Sequence, residues 1–316
     1  MAMRVGSDGM DSLPRTEGRL PESMALDDMD VETMLLTMND QDMRAVSAVR
    51  ASAPALAELV RRGASAISAG HRIHYFGAGT SGRLGALDAA ELYPTFNLAP
   101  GTVVAHLAGG PRALTTAVED AEDSVVIDAG DEESIGPGDL VIGLTASGST
   151  PSVSAALQAA HRRGAATALI CCNGAARCAA DSDLTVVLDT GEEFIAGSTR
   201  LKAGTAEKLA LNGFSTAVMV LCGRTWSNLM VSVNATNDKL RRRTVRILRG
   251  ITGMEESDAR RALEDSQGDL RVALVCALGG VDPRVARSLL EGHGWSVKRA
   301  VDSCPVPAGD DGAPRQ

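Results

Sequence analysis

The sequence predicts an α/β protein in which helices cover both faces of a five-stranded parallel sheet, followed by a small all-helical unit. Five short apolar runs alternate with helical segments, and their continuous hydrophobicity is typical of strands buried on both faces. From Gly250 onward, glycines divide the chain into short helical patterns, which indicates about three small helices. The five apolar runs are residues 72–76, 102–107, 140–144, 166–172 and 184–188.

The remaining segments predict an N-terminal arm and helices before and after the sheet. Residues 1–23 are polar and rich in Gly, Pro and acidic residues, so their composition predicts a poorly ordered arm. Helical spacing then extends to Ile67, and the polar run 39–42 predicts a break before a second helix over 43–62. A long apolar helix is predicted over 204–222. We expect four regions: an arm (1–23), a main domain (24–249), a small helical domain (250–303) and a tail (304–316).

Composition restricts the classes of partner. The chain has 316 residues, 44% of them hydrophobic, and a net charge of −9 with a pI near 5.1. This acidic balance argues against a nucleic-acid surface. No apolar run approaches membrane-spanning length and no secretory signal is visible, so we expect a cytoplasmic protein without membrane or nucleic-acid partners. The six cysteines and five histidines lack metal-site spacing, so we expect reduced thiols and no metal.

The loop after the first apolar run, Gly77-Ala-Gly-Thr-Ser-Gly-Arg-Leu-Gly85, admits two interpretations. Gly77, Gly79 and Gly82 match the dinucleotide fingerprint, in which a pyrophosphate approaches a helix N-terminus. That fingerprint also needs a carboxylate about 20 residues further on, but the next apolar run ends in Ala-Gly-Gly without an acid. Two hydroxyls, Thr80 and Ser81, stand at the helix start instead. The loop therefore predicts a sugar phosphate as ligand and no cofactor.

Two more strand ends carry small, hydroxyl-rich loops, residues 145–151 and 196–204. Their N–H groups and hydroxyls suit a phosphate monoester, and a lysine in the third loop adds positive charge. One such loop alone is explained equally well by helix capping, but three loops on one sheet edge favour a ligand site. The candidate substrate-binding residues are Gly79, Thr80, Ser81, Ser147, Gly148, Ser149, Thr150, Ser198, Thr199 and Lys202.

Over roughly residues 16–301, the chain resembles the N-acetylmuramic acid 6-phosphate etherases, bacterial enzymes with the sugar isomerase (SIS) fold. The resemblance rests on GAGTSGRLG, DAAELYPTF, LAGG, VEDAEDS, TASGSTP, GSTRLKAGTAEKLALN, NLMV and ATNDKL. It implies a carbon–oxygen lyase of amino-sugar catabolism and peptidoglycan recycling, which releases D-lactate from C3 of the sugar and leaves N-acetylglucosamine 6-phosphate. It also implies two catalytic glutamates, Glu91 and Glu122. The C-terminal helices resemble a ubiquitin-associated-type unit.

The implied chemistry suits two carboxyl groups. In the open-chain sugar, the C1 aldehyde acidifies the C2 proton and makes lactate at C3 a β leaving group. One carboxylate must remove the C2 proton, and one carboxylic acid must protonate the departing lactate and later activate water. We expect Glu91 to be the acid and Glu122 the base, and the reverse assignment stays open.

The spacing of these acids raises a geometric question. If a helix opens near Ser81, Glu91 lies about 15 Å along it, away from the sheet edge where the phosphate is expected. Glu122 presents the same difficulty. Either these helices are short and the chain returns, or a second subunit completes the site. We expect a homodimer with its two sites at the interface, as the resemblance to SIS proteins implies.

Two other functions remain open at this point. SIS domains also serve as sugar-phosphate sensors, and a relative of the etherases regulates a sugar kinase without catalysis. An aldose–ketose isomerase would also use a glutamate base at C2, but it would release no lactate. The presence of both acids, and the lack of a basic helix-turn-helix segment ahead of the SIS region, favour the etherase over the sensor.

Overall fold

The computed structural model describes residues 14–118, 120–233, 235 and 237–304. The chain divides into two compact units. The first comprises the chain up to Leu59, His74–Ala86 and Ala105–Asn212, and the second comprises Val60–Ile73, Leu87–Val104 and the chain from Gly213 onward. No helix among the described residues is long and apolar enough to cross a membrane.

The N-terminal segment is ordered from Pro14, so the prediction of a poorly ordered arm is wrong for residues 14–23. Three short 3-10 turns follow one another, Arg15–Glu17, Pro21–Ser23 and Leu26–Asp28. Thr16 is buried, and its carbonyl accepts a hydrogen bond from the Gly197 N–H at 2.9 Å. Composition misled because distant residues supply the partners that order this polar segment. The part of the predicted arm before Pro14 lies outside the described residues.

Two helices come next, α1 (Val31–Ala51) and α2 (Ala53–Ser68). The predicted break at 39–42 is wrong, because α1 runs through these polar residues. Gln41 is buried there and its Oε1 accepts a hydrogen bond from Lys202 Nζ at 3.1 Å. The chain breaks at Ser52 instead, where Pro54 lacks the N–H that would continue the helical hydrogen bonding.

The predicted sheet is confirmed. Its strands run parallel with helices beside them, and each strand lies within two residues of its predicted bounds. The order across the sheet is β2-β1-β3-β4-β5, with Leu140 paired to Ala166 and Thr145 to Cys171. The crossover from β2 past β1 to β3 reverses the direction of winding, which places the ends of β1 and β3 side by side. The strands are β1 (Ile73–Gly77), β2 (Val103–Leu107), β3 (Leu140–Thr145), β4 (Ala166–Cys171) and β5 (Thr185–Val187).

Helices connect the strands as the alternation predicted. Helix α5 packs on β3 and β4, and its Val153, Leu157 and Ala160 enter a core with Val141 and Leu169. The long apolar helix predicted after the last strand is confirmed as α6. The connecting helices are α3 (Gly79–Phe96), α4 (Ala129–Ser134), α5 (Pro151–Arg162) and α6 (Lys202–Leu221), with 3-10 turns at Pro111–Leu114 and Arg177–Asp181.

The C-terminal region contains its own apolar core. Five helices surround it. Four of them follow α7, one more than the three helices predicted for the small unit. Leu248 of α7, Leu274 of α9 and Leu290 of α10 are fully buried in this core. Because α7 contributes to it, the predicted boundary at residue 250 stays a prediction. The helices are α7 (Asp238–Thr252), α8 (Glu256–Asp265), α9 (Leu270–Gly279), α10 (Pro283–Gly292) and α11 (Val297–Asp302).

Candidate functional site

The loop between β1 and α3 depends on glycine for close backbone packing. A Cβ added at Gly82 would lie 2.5 Å from the Gly77 carbonyl oxygen and 2.3 Å from Leu107 Cδ1, distances too short for any side chain. Gly79 has φ +52°, a left-handed conformation that glycine adopts without strain. Helix α3 therefore begins directly against the end of β1, with its first N–H groups at the sheet edge.

A buried acid lies beneath this loop. Ser81 Oγ is 2.9 Å from Oε1 and 2.8 Å from Oε2 of Glu207, which is on α6. Both side chains are buried, and burial raises the pKa of Glu207 to about 8. Sequence reasoning did not single out Glu207. The signal for it was a lone carboxylate one helical turn inside a long apolar helix.

The first and third predicted loops meet at the start of α6. A Cβ added at Gly204 would lie 3.3 Å from both Thr80 Cγ2 and the Thr199 carbonyl oxygen. The Gly204 N–H also donates to that carbonyl at 2.9 Å. Thr80 and Thr199, predicted separately as ligand contacts, are therefore neighbours.

The hydroxyls of the loop between β3 and α5 form hydrogen bonds within the loop. Thr145 Oγ1 lies 2.7 Å from Thr150 Oγ1 and 3.3 Å from Ser147 Oγ, and it accepts the Gly148 N–H at 3.2 Å. Gly148 has φ +73°, and a Cβ there would lie 2.3 Å from Ala176 Cβ. The Ser149 N–H donates to Ser147 Oγ at 3.2 Å. The loop is thus a compact turn at the N-terminus of α5, the arrangement that suits an anion.

The third loop is joined to the N-terminal segment. The Ser198 N–H donates to the Ile195 carbonyl at 2.9 Å, and the Gly197 N–H donates to that of Thr16. Arg15 Nη1 contacts both carboxylate oxygens of Asp189, at 3.0 and 3.1 Å. The structure therefore adds residues 15–17 to the surroundings of the predicted site.

Lys202 is buried, although the sequence presented it as a free positive charge for phosphate. Its Nζ donates to Gln41 Oε1, and its backbone N–H donates to Glu193 at 3.0 Å. The Ala203 N–H donates to the same carboxyl at 2.9 Å, so Glu193 caps α6. Burial lowers the pKa of Lys202 and raises that of Glu193. A phosphate contact by Lys202 stays a prediction.

The two proposed catalytic acids have different settings. Glu122 lies outside any helix, is exposed, and lines a cavity of about 380 Å³ together with Gly79 and Arg83. Its carbonyl accepts the Ser152 N–H from the start of α5 at 3.1 Å. Glu122 therefore lies beside the start of α5 and lines one cavity with Gly79, and its catalytic role stays a prediction.

Glu91 is exposed on α3, which continues unbroken to Phe96. The short-helix solution is therefore wrong for this residue. Glu91 also belongs to a different compact unit from Glu122 and the three loops. Among the described residues, no group of three or more His, Cys, Asp or Glu side chains is arranged to hold a metal ion.

A parallel sheet with hydroxyl-rich loops at the ends of β1 and β3 defines this protein as a SIS-domain protein. Residues 112–211 match the SIS domain family, and residues 55–161 match the glucokinase regulatory protein N-terminal SIS domain family.

Curated relatives narrow the class to one family, that of the N-acetylmuramic acid 6-phosphate etherases. The etherase of Cutibacterium acnes is 46% identical and covers 93% of this chain and 98% of its own length. That of Thermobifida fusca is 51% identical over 83% of this chain and 86% of its own. That of Pectobacterium atrosepticum is 42% identical over 90% of this chain and 95% of its own. The chain belongs to the N-acetylmuramic acid 6-phosphate etherase family.

Proposed function

We propose that this protein cleaves the lactyl ether of N-acetylmuramic acid 6-phosphate and releases D-lactate and N-acetylglucosamine 6-phosphate. The observation that carries the proposal is the 41–51% identity to etherases over most of the chain. The activity is that of a carbon–oxygen lyase in amino-sugar catabolism and peptidoglycan recycling, and it needs no cofactor.

The reaction proceeds on the open-chain sugar. Glu122 takes the proton from C2, the C3–O bond breaks with its electron pair going to the lactate oxygen, and Glu91 protonates that oxygen. Glu91 then removes a proton from water as the water adds to C3, and Glu122 returns its proton to C2. The position of Glu122 at the cavity that Gly79 lines supports its role as base, because a base must lie within reach of the bound sugar.

The phosphate is held by the two loops at the ends of β1 and β3. Ser147, Ser149 and Thr150 supply hydroxyls and N–H groups at the N-terminus of α5, where the helix dipole favours an anion. Ser81, in the β1 loop, donates to the phosphate, and Thr80, Ser198 and Thr199 face the sugar. The proximity of Thr80 to Thr199 supports this grouping.

The test is release of D-lactate from N-acetylmuramic acid 6-phosphate by the purified protein. Glu91→Gln and Glu122→Gln should each lower kcat by at least about a hundredfold, as loss of acid or base catalysis does. The matched control is Glu133→Gln, because Glu133 is an exposed acid on α4 away from the lining of that cavity. No lactate above the level of the two active-site variants would contradict the proposal.

The match to the glucokinase regulatory protein family favours one second candidate, a sugar-phosphate sensor without catalysis. Such a protein would bind the sugar phosphate and release no lactate. The same assay, combined with calorimetric titration of the substrate, separates the two functions.

A homodimer accounts for Glu91, which is exposed on a continuous helix. Helix α1 supports the dimer, because three large apolar side chains are exposed on it and a partner subunit would cover them. They are Leu35 (60% exposed), Leu36 (61%) and Met43 (61%). Light scattering coupled to gel filtration should give twice the chain mass, and Leu36→Asp should lower both the mass and the activity. A fully active monomer would contradict the dimer.

We also place the protein in the cytoplasm. Cys171, Cys172, Cys178 and Cys222 are buried and form no disulfide, as expected in a reducing compartment. Thiol titration of the denatured protein, purified without reductant, should find all of them reduced.

A further inference from the structure

The contact between Glu207 and Ser81 joins the glycine loop to the inside of the protein. Glu207 is about 1% exposed, and Ser81 Oγ lies within hydrogen-bond distance of both its carboxyl oxygens. Ser81 is in the first turn of α3, beside the N–H groups that are expected to meet the sugar phosphate. A change in the protonation of the Glu207 carboxyl therefore alters the hydrogen bonding of the glycine loop through the Ser81 hydroxyl.

The surroundings of Glu207 favour its neutral form. The titratable groups that face it are the thiols of Cys171, at the end of β4, and of Cys172, the next residue; their pKa values rise chiefly because they are buried. On α6 itself, Lys208 is exposed and Lys202 is engaged with Gln41 and Glu193. With no cation acting on it among the described residues, Glu207 holds its proton at neutral pH, consistent with its pKa of about 8.

The proton on Glu207 allows the hydrogen bond with Ser81 to run in either direction, whereas ionised Glu207 allows only one. A serine hydroxyl has one hydrogen to donate and two lone pairs. A carboxylate is an acceptor only, so an ionised Glu207 takes the hydrogen of Ser81. A protonated Glu207 can donate its own hydrogen to Ser81 Oγ, an arrangement that leaves the serine hydrogen for an acceptor on the substrate. The oxygens of a phosphate dianion are acceptors only, so they require the second arrangement.

We propose that Glu207 is a positioning residue: it directs the Ser81 hydroxyl toward the substrate, so that Ser81 donates to an acceptor oxygen of the sugar phosphate only while Glu207 keeps its proton. This inference rests on the proposed function, since it takes Ser81 as a substrate contact. The affinity for the substrate then depends on the Glu207 carboxyl, which does not itself touch the substrate. Ionisation of Glu207 reverses the hydrogen bond and turns a lone pair of Ser81 toward the anion.

The experiment measures KM and kcat for D-lactate release between about pH 7 and pH 9.5, where a phosphate monoester is already a dianion. For the wild type, KM should rise by about tenfold as Glu207 ionises, the factor that one hydrogen bond to a charged group contributes. In Glu207→Gln the amide donates to Ser81 and does not titrate, so KM should stay near its neutral value throughout. The ratio of kcat for Glu207→Gln to kcat for the wild type should not change with pH.

Ser81→Ala provides a second, independent readout. Without the hydroxyl, KM should be raised by about tenfold at pH 7 and should show no further rise in alkali. Cys172→Ala is the matched control, because it alters another titratable group facing Glu207; its KM should rise in alkali as the wild type does. If Glu207→Gln does not fold, Ser81→Ala alone decides the matter.

Failure of this inference and failure of the proposed function give different results. If lactate is released but the alkaline rise in KM is missing from the wild type, or persists in Glu207→Gln or Ser81→Ala, the role of Glu207 is wrong and the etherase activity stands. If the wild type releases no lactate at any pH, both are wrong.

Discussion

The loops that follow β1 and β3 have similar sequences, Gly-Thr-Ser-Gly and Ser-Gly-Ser-Thr, yet different means hold them in place. In the β3 loop, Thr145 Oγ1 joins Ser147, Gly148 and Thr150, and the Asn173 amide and the Cys178 N–H donate to loop carbonyls, so uncharged amide and hydroxyl groups hold it. In the β1 loop, Ser81 is held by Glu207, which lies 126 residues further along the chain. One loop is therefore insensitive to pH, and the other depends on the protonation of a buried acid.

The largest effect should come from removing the close packing of the β1 loop. Gly82→Ala places a methyl group against the Gly77 carbonyl and Leu107, so we expect a loss of more than about 3 kcal/mol in the free energy of unfolding. Gly174→Ala is the matched control, because its added Cβ meets nothing within 4 Å. Urea denaturation of the two variants measures the difference. Equal stability would show that the β1 loop tolerates a side chain.

The next effect should separate the loops by pH. The pKa of Glu207 is raised on folding, so the unfolded state loses its proton first and the stability of the wild type falls as pH rises from about 4.5 to 8. One proton contributes about 1.4 kcal/mol for each pH unit in that range. Glu207→Gln should lack this decline, so its stability relative to the wild type should increase by about 2 to 3 kcal/mol between pH 6 and 8. Parallel curves would contradict a buried neutral acid.

A smaller and pH-independent effect is expected in the β3 loop. Thr145→Val removes the hydroxyl shared by Ser147, Gly148 and Thr150 and should cost about 1 to 3 kcal/mol. Because none of these groups titrates near neutrality, the cost should be the same at about pH 6 and pH 8. Denaturant titrations at both values check this. A cost that varied with pH would remove the contrast between the two loops.

The smallest effect should come from the exposed ion pair beside the third loop. Arg15 and Asp189 are both 59% exposed at their side chains, so Arg15→Ala should lower stability by less than about 1 kcal/mol. The loss should shrink further at high salt, because exposed charges are screened. A loss of several kcal/mol, measured by denaturation, would show that the N-terminal segment contributes more than this ion pair.

The sheet could be predicted from the sequence because continuous apolar runs report burial on both faces, and the three loops because glycines and hydroxyls cluster at strand ends. The partners of Gln41, Lys202 and Glu207 could not be predicted. Each is a polar residue whose hydrogen-bond partner lies more than a hundred positions away in the sequence. The spacing of nearby residues does not indicate such a partner. For the same reason composition predicted disorder for residues 14–23.

Infrared difference spectroscopy tests directly whether Glu207 carries a proton beneath the glycine loop at neutral pH. The difference between wild type and Glu207→Gln at about pH 6.5 should contain the carbonyl band of a protonated carboxylic acid, and this band should give way to carboxylate bands by about pH 9.5. Carboxylate bands already present at about pH 6.5, with no acid carbonyl band, would show that Glu207 is ionised at neutral pH and has no proton to give Ser81.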